Sequence, residues 1–442
     1  VWQPTTGNSS TFASTYDSSV NKGYIWIREN SVMKYNTITL GASSFTMGTL
    51  ANLPDSTDQI VWNNHGAVYN SANGTVLAGY QYSGATTLSQ WVSSFSGTST
   101  TTVVNGSVFA GTSLSATALE LKTFPASTIV GKAGAAVTKG KPVIVENDGD
   151  FAEPSFASAS ESFTFSKGSA TALVAADTSV QLTSCFDISA QRFILVYTNS
   201  DASNYMYGNV VEVDSSKVVT SRGIDTIISS SNGGETPSIA YDSANEKSML
   251  AYASGPNSND LRGKVLTATG SGLSVGAEVV INTNGNSATR TKVVYEPTSG
   301  KLVVSYLDQS NSSYVTAQVG TISGTTSSWG SNTLISAAGT ATQIGLGAGN
   351  GKVLFLTTDD SNNGDARAGT ISGTTLTLGS PVEFDGGYIS SPYPSSDSIV
   401  CYDTQNDRFF AGYEGPSDNL YGMVFQISGP TVSLGPRILI KN

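Results

Sequence analysis

The sequence predicts an all-β protein, and three observations support this prediction. Charged residues make up only 12% of the 442 residues, whereas long helices usually carry many Glu, Lys and Arg side chains. The chain contains 46 glycines among abundant Ser, Thr and Asn, which is typical of short strands joined by turns. One short pattern, in which two apolar strands flank a polar turn, recurs along the chain.

The recurring pattern is a hairpin with a fixed internal offset. Between Ile239 and Tyr252, an apolar run meets a turn-forming cluster at Asp242 to Asn245, and a second apolar run follows. In five copies the first aromatic residue and the closing tyrosine are eleven residues apart. These pairs lie at 69 and 80, 186 and 197, 241 and 252, 295 and 306, and 402 and 413. The constant offset predicts that the same turn is built each time.

The hairpins recur with a period of about 54 residues, which lies in the range of propellers and arrays. Each unit continues with a polar loop, a third strand, a tight turn such as Ser323-Gly324, and a last strand that opens near a glycine such as Gly330. Four strands in this period predict a β-propeller blade, because a single sheet buries its faces only by stacking on its neighbours. The hairpin anchors are Tyr16, Tyr69, Phe186, Tyr241, Tyr295, Leu346 and Tyr402.

The spacing of the anchors predicts seven four-stranded antiparallel blades and one β-rich insertion. Successive anchors are 53, 117, 55, 54, 51 and 56 residues apart, so a single long gap interrupts the period. We place blades 1 and 2 in residues 1–111, the insertion in 112–173, and blades 3 to 7 in 174–442. A degenerate eighth blade in the same gap is the alternative, since Lys141 to Val145 has the pattern of a second strand.

The charge balance excludes two classes of partner. The formal net charge is −11, with 22 Lys and Arg residues against 33 Asp and Glu residues. We therefore expect no nucleic-acid binding through phosphates and no attraction to an anionic membrane surface. No apolar run approaches the length of a membrane span, so we also expect no membrane insertion.

Catalytic groups are sparse in the sequence. His65 is the only histidine, which removes any histidine metal cluster and favours a hydrogen-bonded structural role. The carboxylates that recur, Asp17, Asp187, Asp242, Glu296 and Asp403, all stand in the hairpin turn. Turn formation explains them better than acid–base catalysis. We therefore predict no enzyme activity, no catalytic residues and no cofactor.

The densest cluster of side-chain oxygens lies between Asp359 and Asp365. The residues Asp359, Ser361, Asn363 and Asp365 resemble the start of a calcium loop, but Thr370 stands where a bidentate Glu is required. A solvated loop is therefore the favoured interpretation. If the chain binds a metal ion, we expect Ca²⁺ at these four residues.

A Ser-, Asn- and Asp-rich loop follows the second strand of each blade, and these loops differ in sequence while the strands repeat. Strand geometry places them on one rim, and binding residues are often carried on loops of a rigid scaffold. Ordinary solvated loops, with the strand tyrosines in the core, are the alternative. The expected receptor-contact residues are Tyr205, Tyr207, Ser258, Asp260, Tyr314, Asp365, Asn419 and Tyr421.

The third-strand segments carry a resemblance to a known class of protein. Gln318 to Thr325 contains V-G-T-I-S-G-T, and Ala368 to Thr374 contains A-G-T-I-S-G-T. This repeat resembles those of β-propeller tail-fibre and virion structural proteins of tailed phages, particularly marine and cyanobacterial phages. The resemblance implies a non-enzymatic virion protein, most simply a tail fibre or receptor-binding component, located in the extracellular particle.

The resemblance also implies partners and leaves alternatives. The partners would be other virion subunits and a host surface glycan or protein, and the chain would be oligomeric in the particle. A capsid decoration or head-fibre protein is one alternative. A propeller-type polysaccharide depolymerase or lyase is a second, and a secreted bacterial lectin-like propeller is a third.

Overall fold

The computed structural model contains antiparallel strands joined by turns, and its described residues include a 3-10 turn at Gln309–Asn311. None of the helical segments it describes is long and apolar enough to cross a membrane. The structure describes residues 12–17, 22–29, 32–40, 45–48, 51–52, 66–70, 75–81, 88–98, 144–145, 151–152, 162–167, 171–172, 179–199, 204–213, 219–230, 235–254, 260–270, 272–282, 288–337, 343–386, 400–415 and 419–441.

The first two sheets and one separate hairpin come from the N-terminal part of the chain. Sheet 1 contains β1 (Phe12–Asp17), β2 (Lys22–Glu29), β3 (Val32–Leu40), β4 (Phe45–Met47) and β5 (Ala51–Asn52). Sheet 2 contains β6 (Gly66–Asn70), β7 (Thr75–Gln81), β8 (Leu88–Thr98), β11 (Ser162–Lys167) and β12 (Thr171–Ala172). The separate pair contains β9 (Ile144–Val145) and β10 (Phe151–Ala152).

Sheets 3 to 5 follow in chain order. Sheet 3 contains β13 (Ser179–Asp187), β14 (Arg192–Asn199), β15 (Tyr205–Val213), β16 (Val219–Arg222) and β17 (Thr226–Ser229). Sheet 4 contains β18 (Glu235–Asp242), β19 (Lys247–Ser254), β20 (Asp260–Ala268), β21 (Leu273–Val275) and β22 (Val279–Asn282). Sheet 5 contains β23 (Ala288–Glu296), β24 (Lys301–Asp308), β25 (Tyr314–Ser323), β26 (Thr326–Trp329) and β27 (Thr333–Ser336).

Sheets 6 and 7 complete the described part of the chain. Sheet 6 contains β28 (Gln343–Gly349), β29 (Lys352–Thr358), β30 (Gly364–Ser372), β31 (Thr375–Leu378) and β32 (Val382–Asp385). Sheet 7 contains β33 (Val400–Asp403), β34 (Arg408–Glu414), β35 (Leu420–Ser428), β36 (Thr431–Leu434) and β37 (Ile438–Lys441).

Each of sheets 3 to 7 is a four-stranded antiparallel sheet whose outer strand is broken in two. In sheet 5, β23, β24, β25 and β26 lie side by side in chain order, and β27 also pairs with β25. β26 and β27 are therefore two halves of one outer strand. The unit of four short antiparallel strands that the sequence predicted is confirmed.

The break in the outer strand falls at a glycine, which corrects one detail of the prediction. The sequence suggested that the last strand opens near Gly330, but the outer strand of sheet 5 begins earlier, at Thr326. Gly330 follows the first half-strand, and its N–H bonds to the carbonyl of Val319 at 2.9 Å. The same bond recurs at Gly48, Gly223, Gly276, Gly379 and Gly435.

The predicted hairpin is confirmed by the strand register. Tyr241 pairs with Ser248 and Asp242 pairs with Lys247, so the turn lies between these two residues. In sheet 6 the sequence placed the anchor at Leu346, but the register puts Ala348, paired with Val353, at the anchor position directly before the turn pair Gly349 and Lys352. The turn of this sheet is the shorter Asn350-Gly351, in which both residues have a positive φ, so the anchor lies two residues later than the sequence predicted.

The innermost strands contact one another in a closed order. β1 contacts β6, and the contacts continue through β13, β18, β23, β28 and β33, which returns to β1. Phe45 of sheet 1 and Phe410 of sheet 7 pack edge to face, with ring centroids 5.0 Å apart. Ile25, Ile38 and Ile440 belong to the same buried cluster. Burial of apolar side chains thus joins the first sheet to the last.

These contacts confirm an all-β propeller built from antiparallel blades. The described residues form seven sheets of this kind. Most of the region that could hold an eighth blade lies outside the described residues, so the choice between seven and eight blades stays a prediction.

The chain divides into two compact units, residues 1–95 with 165–442 and residues 96–164. In the second unit, β9 and β10 pair through Val145 with Phe151 and Ile144 with Ala152. These strands flank residues Asn147 to Asp150, which contain an Asp-Gly pair typical of hairpin turns. The strands at 162–167 and 171–172 pair with β8 in sheet 2. The extent of the insertion, expected at 112–173, stays a prediction because most of residues 99–161 lie outside the described residues.

Candidate functional site

The recurring carboxylates hold the hairpin turns, and Asp242 illustrates how. Its Oδ1 accepts hydrogen bonds from the backbone N–H groups of Ala244 at 3.0 Å and Asn245 at 3.1 Å, and its Oδ2 accepts one from Asn245 Nδ2 at 2.8 Å. The residue is fully buried. A buried carboxylate is tolerated when several N–H groups bond to it, and these bonds fix the turn.

The same turn is built at three further described positions. Asp187 accepts from the backbone N–H groups two and three residues further on, and Glu296 and Asp403 do likewise. All three are buried. The turn role that the sequence assigned to these four acids therefore has direct geometric support. The side chain of Asp17, and His65, lie outside the described residues.

The turn carboxylates also join neighbouring sheets, which the sequence did not indicate. Tyr16 of sheet 1 donates its hydroxyl to Asp403 Oδ1 of sheet 7 at 2.6 Å. Glu296 of sheet 5 accepts from the N–H of Gly351 in sheet 6 at 2.8 Å. One acidic side chain therefore stabilises its own turn and the contact with the next sheet.

Sheets 3 to 7 each carry an equivalent row of three side chains. Each row lies on the face of its sheet that is turned toward the preceding sheet. Each row begins at the closing position of the hairpin, passes to its partner on the third strand, and ends on the outer half-strand. We call each set of three a groove row. The rows are Tyr197–Tyr207–Ile227, Tyr252–Arg262–Val280, Tyr306–Thr316–Leu334, Thr357–Asp365–Glu383 and Tyr413–Tyr421–Leu439.

Each groove row runs from the core to the solvent. In sheet 7, Tyr413 is 1% exposed, Tyr421 is half-buried, and Leu439 is 45% exposed. The next residue along the strand, Ile440, packs into the core with sheet 1, so alternation along the strand turns Leu439 toward sheet 6. The outer end of each row therefore lines a groove beside the preceding sheet.

The structure places the sequence-predicted rim residues at or beside these rows. Tyr207, Asp365 and Tyr421 are the central members of three rows. The other described ones stand at the loop edge of a third strand: Tyr205, Asp260 and Tyr314 begin their strands, and Asn419 precedes one. Ser258 lies outside the described residues. Receptor contact by this set stays a prediction.

Part of the tyrosine surface packs within the sheets. The rings of Tyr197 and Tyr207 stack with centroids 5.8 Å apart and an angle of 18° between their planes. Tyr413 and Tyr421 lie 6.0 Å apart with their planes tilted by 32°. In these two rows the contacts hold the central tyrosine, Tyr207 or Tyr421, in a fixed orientation, and each of the two side chains is half-buried.

The groove row of sheet 4 is closed by charge pairing. Arg262 donates to Asp260 Oδ2 at 3.0 Å and to Glu278 Oε1 at 3.3 Å, and Glu278 also accepts the hydroxyl of Tyr252. Burial, followed by the bond to Glu278, raises the pKa of Tyr252. Both terminal nitrogens of Arg262 are therefore paired, and its Nε is buried, so this row leaves few exposed donors for a ligand.

Beside the groove row of sheet 7 lies an arginine, Arg437, that is paired on one side only among the residues that the structure describes. Arg437 lies with its guanidinium carbon 4.5 Å from the centre of the Tyr421 ring. Its Nη1 donates to both carboxylate oxygens of Asp385, at 2.7 Å each, and Asp385 belongs to sheet 6. Sequence reasoning missed both residues. The sequence did contain one signal. Arg437 stands two residues after the glycine that breaks the outer strand, and sheets 3 to 5 carry no basic residue at that position but Asp225, Glu278 and Asn332.

The oxygen cluster at Asp359 forms a turn. Asp359 Oδ1 accepts from the N–H groups of Ser361 and Asn363 at 2.8 Å, and its Oδ2 accepts from Asn363 Nδ2 at 3.1 Å. Burial, followed by repulsion from Asp359 and Glu383, raises the pKa of Asp365. No group of three His, Cys, Asp or Glu side chains suited to a metal occurs among the described residues. Calcium at these residues stays a prediction.

The two cysteines are buried thiols in separate sheets. Burial raises the pKa of Cys185 and of Cys401 to about 12, so both remain protonated at neutral pH. Cys185 Sγ lies 3.3 Å from Ser248 Oγ of sheet 4. Their contribution is packing between sheets.

Comparison with known proteins supports the fold alone. The chain is similar to a periplasmic gluconolactonase from Pseudomonas aeruginosa, with 10% identity and a TM-score of 0.53 over 98% of this chain and 95% of that one. A protein from Lactobacillus plantarum is 8% identical, with a TM-score of 0.51 over 99% and 97% of the two chains. An Aleuria aurantia lectin is 11% identical, with a TM-score of 0.44 over 98% and 97%.

No protein-family model matches the chain, and a search of curated proteins gave no match.

Proposed function

We propose that the chain is a non-enzymatic binding protein of a phage particle, in which the propeller presents its loop rim and groove rows to a host surface. The acids that recur at the hairpin turns of sheets 3, 4, 5 and 7 are occupied by turns and sheet contacts, as at Asp242 and Glu296. The groove rows differ in side chain while their backbone positions repeat. A constant scaffold with variable outward residues is the arrangement expected of a binding surface.

The observation that carries this proposal is the contrast between the two kinds of position. The turn positions of sheets 3, 4, 5 and 7 carry acids that each accept from the backbone N–H groups two and three residues further on, whereas the central positions of the groove rows carry Tyr207, Arg262, Thr316, Asp365 and Tyr421. The resemblance of Gln318 to Thr325 to phage virion repeats supplies the setting.

The experiment is localisation in the native particle. An antibody against the purified chain should label purified phage particles in electron micrographs, at the tail if the chain is a tail fibre and at the head if it decorates the capsid. Failure to label any particle, with the chain present in the host lysate, would contradict the proposal.

A second assay separates binding from cleavage. The purified chain is incubated with host envelope polysaccharides, and new reducing ends are measured. We expect no increase in reducing ends over a heat-denatured control. Glycoside hydrolysis needs two carboxylates across a cleft, and the recurring acids of this chain are committed to turns. A sustained increase would assign the chain to the polysaccharide-degrading alternative.

A further inference from the structure

The groove between sheets 6 and 7 contains a guanidinium that is fixed along one edge and open along the other. Asp385, whose side chain is 2% exposed, holds Arg437 Nη1 with both oxygens at 2.7 Å, while the Arg437 side chain is 42% exposed. The hydroxyl of Tyr413 donates to Asp385 Oδ2 at 3.0 Å and fixes the carboxylate in turn. Among the described residues, no group accepts from Nε or Nη2 of Arg437.

The aromatic support of this guanidinium is also fixed. Tyr421 lies under Arg437, and Gly415 lies against the tyrosine ring so closely that an added Cβ would come within 2.7 Å of Cδ2. Leu439, paired with Tyr421 on the neighbouring strand, is 45% exposed beside them. The groove therefore places Nε and Nη2 of Arg437, which have no acceptor in the described part of the chain, beside the apolar side chain of Leu439, and this combination suits small polar ligands.

The geometry points to a saccharide subsite in this groove, with Nε and Nη2 of Arg437 donating to two adjacent hydroxyl oxygens of a neutral sugar and Leu439 contacting its C–H surface. A guanidinium presents its donors in a planar fork, which matches two neighbouring oxygen acceptors. This inference rests on the proposed function, since it names the ligand class of one groove on the binding surface.

The charge balance favours a neutral ligand over an anionic one. Asp385 already compensates the charge of Arg437, and the hydrogen bond between them raises the pKa of the guanidinium. An acidic sugar would bring a second carboxylate close to Asp385 on a chain whose net charge is −11. Sheets 3 to 6 carry Asp225, Glu278, Asn332 and Pro381 at the place of Arg437, so this feature is specific to sheet 7 in that part of the chain.

The test uses a panel of immobilised neutral and uronic-acid-containing saccharides, probed with the intact chain. We expect binding to at least one neutral saccharide with adjacent hydroxyls, and loss of that binding after periodate oxidation of the saccharide, which cleaves adjacent diols. The Arg437→Ala variant should lose about tenfold or more in affinity, as expected for a central arginine contact. Arg437→Lys should lose a similar amount because lysine lacks the planar fork.

The matched control is Asn332→Ala, which changes the same place in sheet 5, where there is no cation. It should bind like the unchanged chain, and thermal unfolding should show that all variants are folded. Binding that survives both Arg437 variants, binding confined to uronic acids, or no binding to any saccharide would overturn the inference. Particle labelling would still stand in those cases, so the failure of the subsite is distinguishable from failure of the proposed function.

Discussion

At Glu296, a carboxylate of the kind used in catalysis is committed to structure. It accepts N–H bonds from Thr298 and Ser299 in its own turn and from Gly351 in the next sheet. Burial raises its pKa, but the bonds from Gly351, Ser299 and Thr298 outweigh burial and leave the pKa below its usual value. The charged form is therefore the one that the folded protein stabilises.

The Glu296→Gln variant tests this at the residue scale. A carboxyl whose folded pKa is lowered contributes stability above its unfolded pKa, near 4.3, and loses it as pH falls through the folded value. The variant should be less stable than the unchanged chain by about 1–3 kcal/mol at pH 7, with the difference shrinking below about pH 4. Denaturant unfolding at several pH values measures this.

A matched control at the surface is Glu212→Gln. Glu212 is 46% exposed and pairs with Arg192 at 3.5 Å, so its loss should change stability by less than about 1 kcal/mol. A constant difference for Glu296→Gln from pH 3 to pH 7 would show that its charge plays no part.

The turn role of these acids was predictable from the sequence, whereas their second partners were not. Asp and Asn at fixed offsets in a hairpin predict local backbone bonds. The bonds from Tyr16 to Asp403 and from Gly351 to Glu296 depend on which sheet lies beside which, and they join residues far apart in the chain. The sequence pattern within one hairpin carries no information on these hydrogen bonds between sheets.

At the scale of the strand, the broken outer strand is the feature that positions neighbouring sheets. A Cβ at Gly330 would lie 2.3 Å from the carbonyl oxygen of Thr374, which belongs to the third-to-fourth strand turn of sheet 6. Gly276 and Gly379 meet the corresponding turns at Thr325 and Pro430. Glycine is required there because two backbones approach directly.

The Gly330→Ala variant tests this close approach. The added methyl group would force the turn at Thr374 away, so we expect a loss of about 1–3 kcal/mol in unfolding free energy. The control is Gly324→Asn, at a φ of +62° with no atom within 4 Å of an added Cβ. Asparagine tolerates that backbone conformation, so the control should change stability much less. Equal losses would show that Gly330 has no special contact.

The sequence located these glycines but assigned them to the start of a strand. The first half-strand, Thr326–Trp329, is short and polar, and the apolar alternation resumes only after the break. A prediction based on apolar residues therefore assigned the first half-strand to the preceding turn and placed the start of the strand at the glycine.

The candidate groove was predictable only in part, because local sequence patterns do not show which residues of adjoining sheets meet. Tyr421 was found because it borders a polar loop, but Asp385 and Arg437 were not, since they are 52 residues apart and come from adjoining sheets. Their pairing follows from the order of sheets, and the sequence predicted that order without predicting which side chains face each other across a groove.

At the scale of the whole molecule, contact between the first and last sheets closes the ring. Tyr16 and Asp403 are 387 positions apart and share a hydrogen bond of 2.6 Å. The buried cluster around Phe45 and Phe410 lies at the same junction. Closure removes the exposed faces that an open row of sheets would leave.

A double-mutant cycle tests this junction. Tyr16→Phe and Asp403→Asn should each destabilise the chain, and the double variant should be more stable than additivity predicts, by about 0.5–1.5 kcal/mol. The control cycle pairs Tyr16→Phe with Asp242→Asn, whose turn lies in sheet 4, and should be additive. Additive behaviour of both cycles would indicate that the first and last sheets are not joined through this bond.

The most direct test of the closed ring is a single-particle electron cryomicroscopy map of the purified chain, viewed along the propeller axis. We expect radial sheets arranged as a closed disc, with density joining the Tyr16 side chain of the first sheet to Asp403 of the last. An open arc, or two separate lobes with solvent between the first and last sheets, would contradict the account.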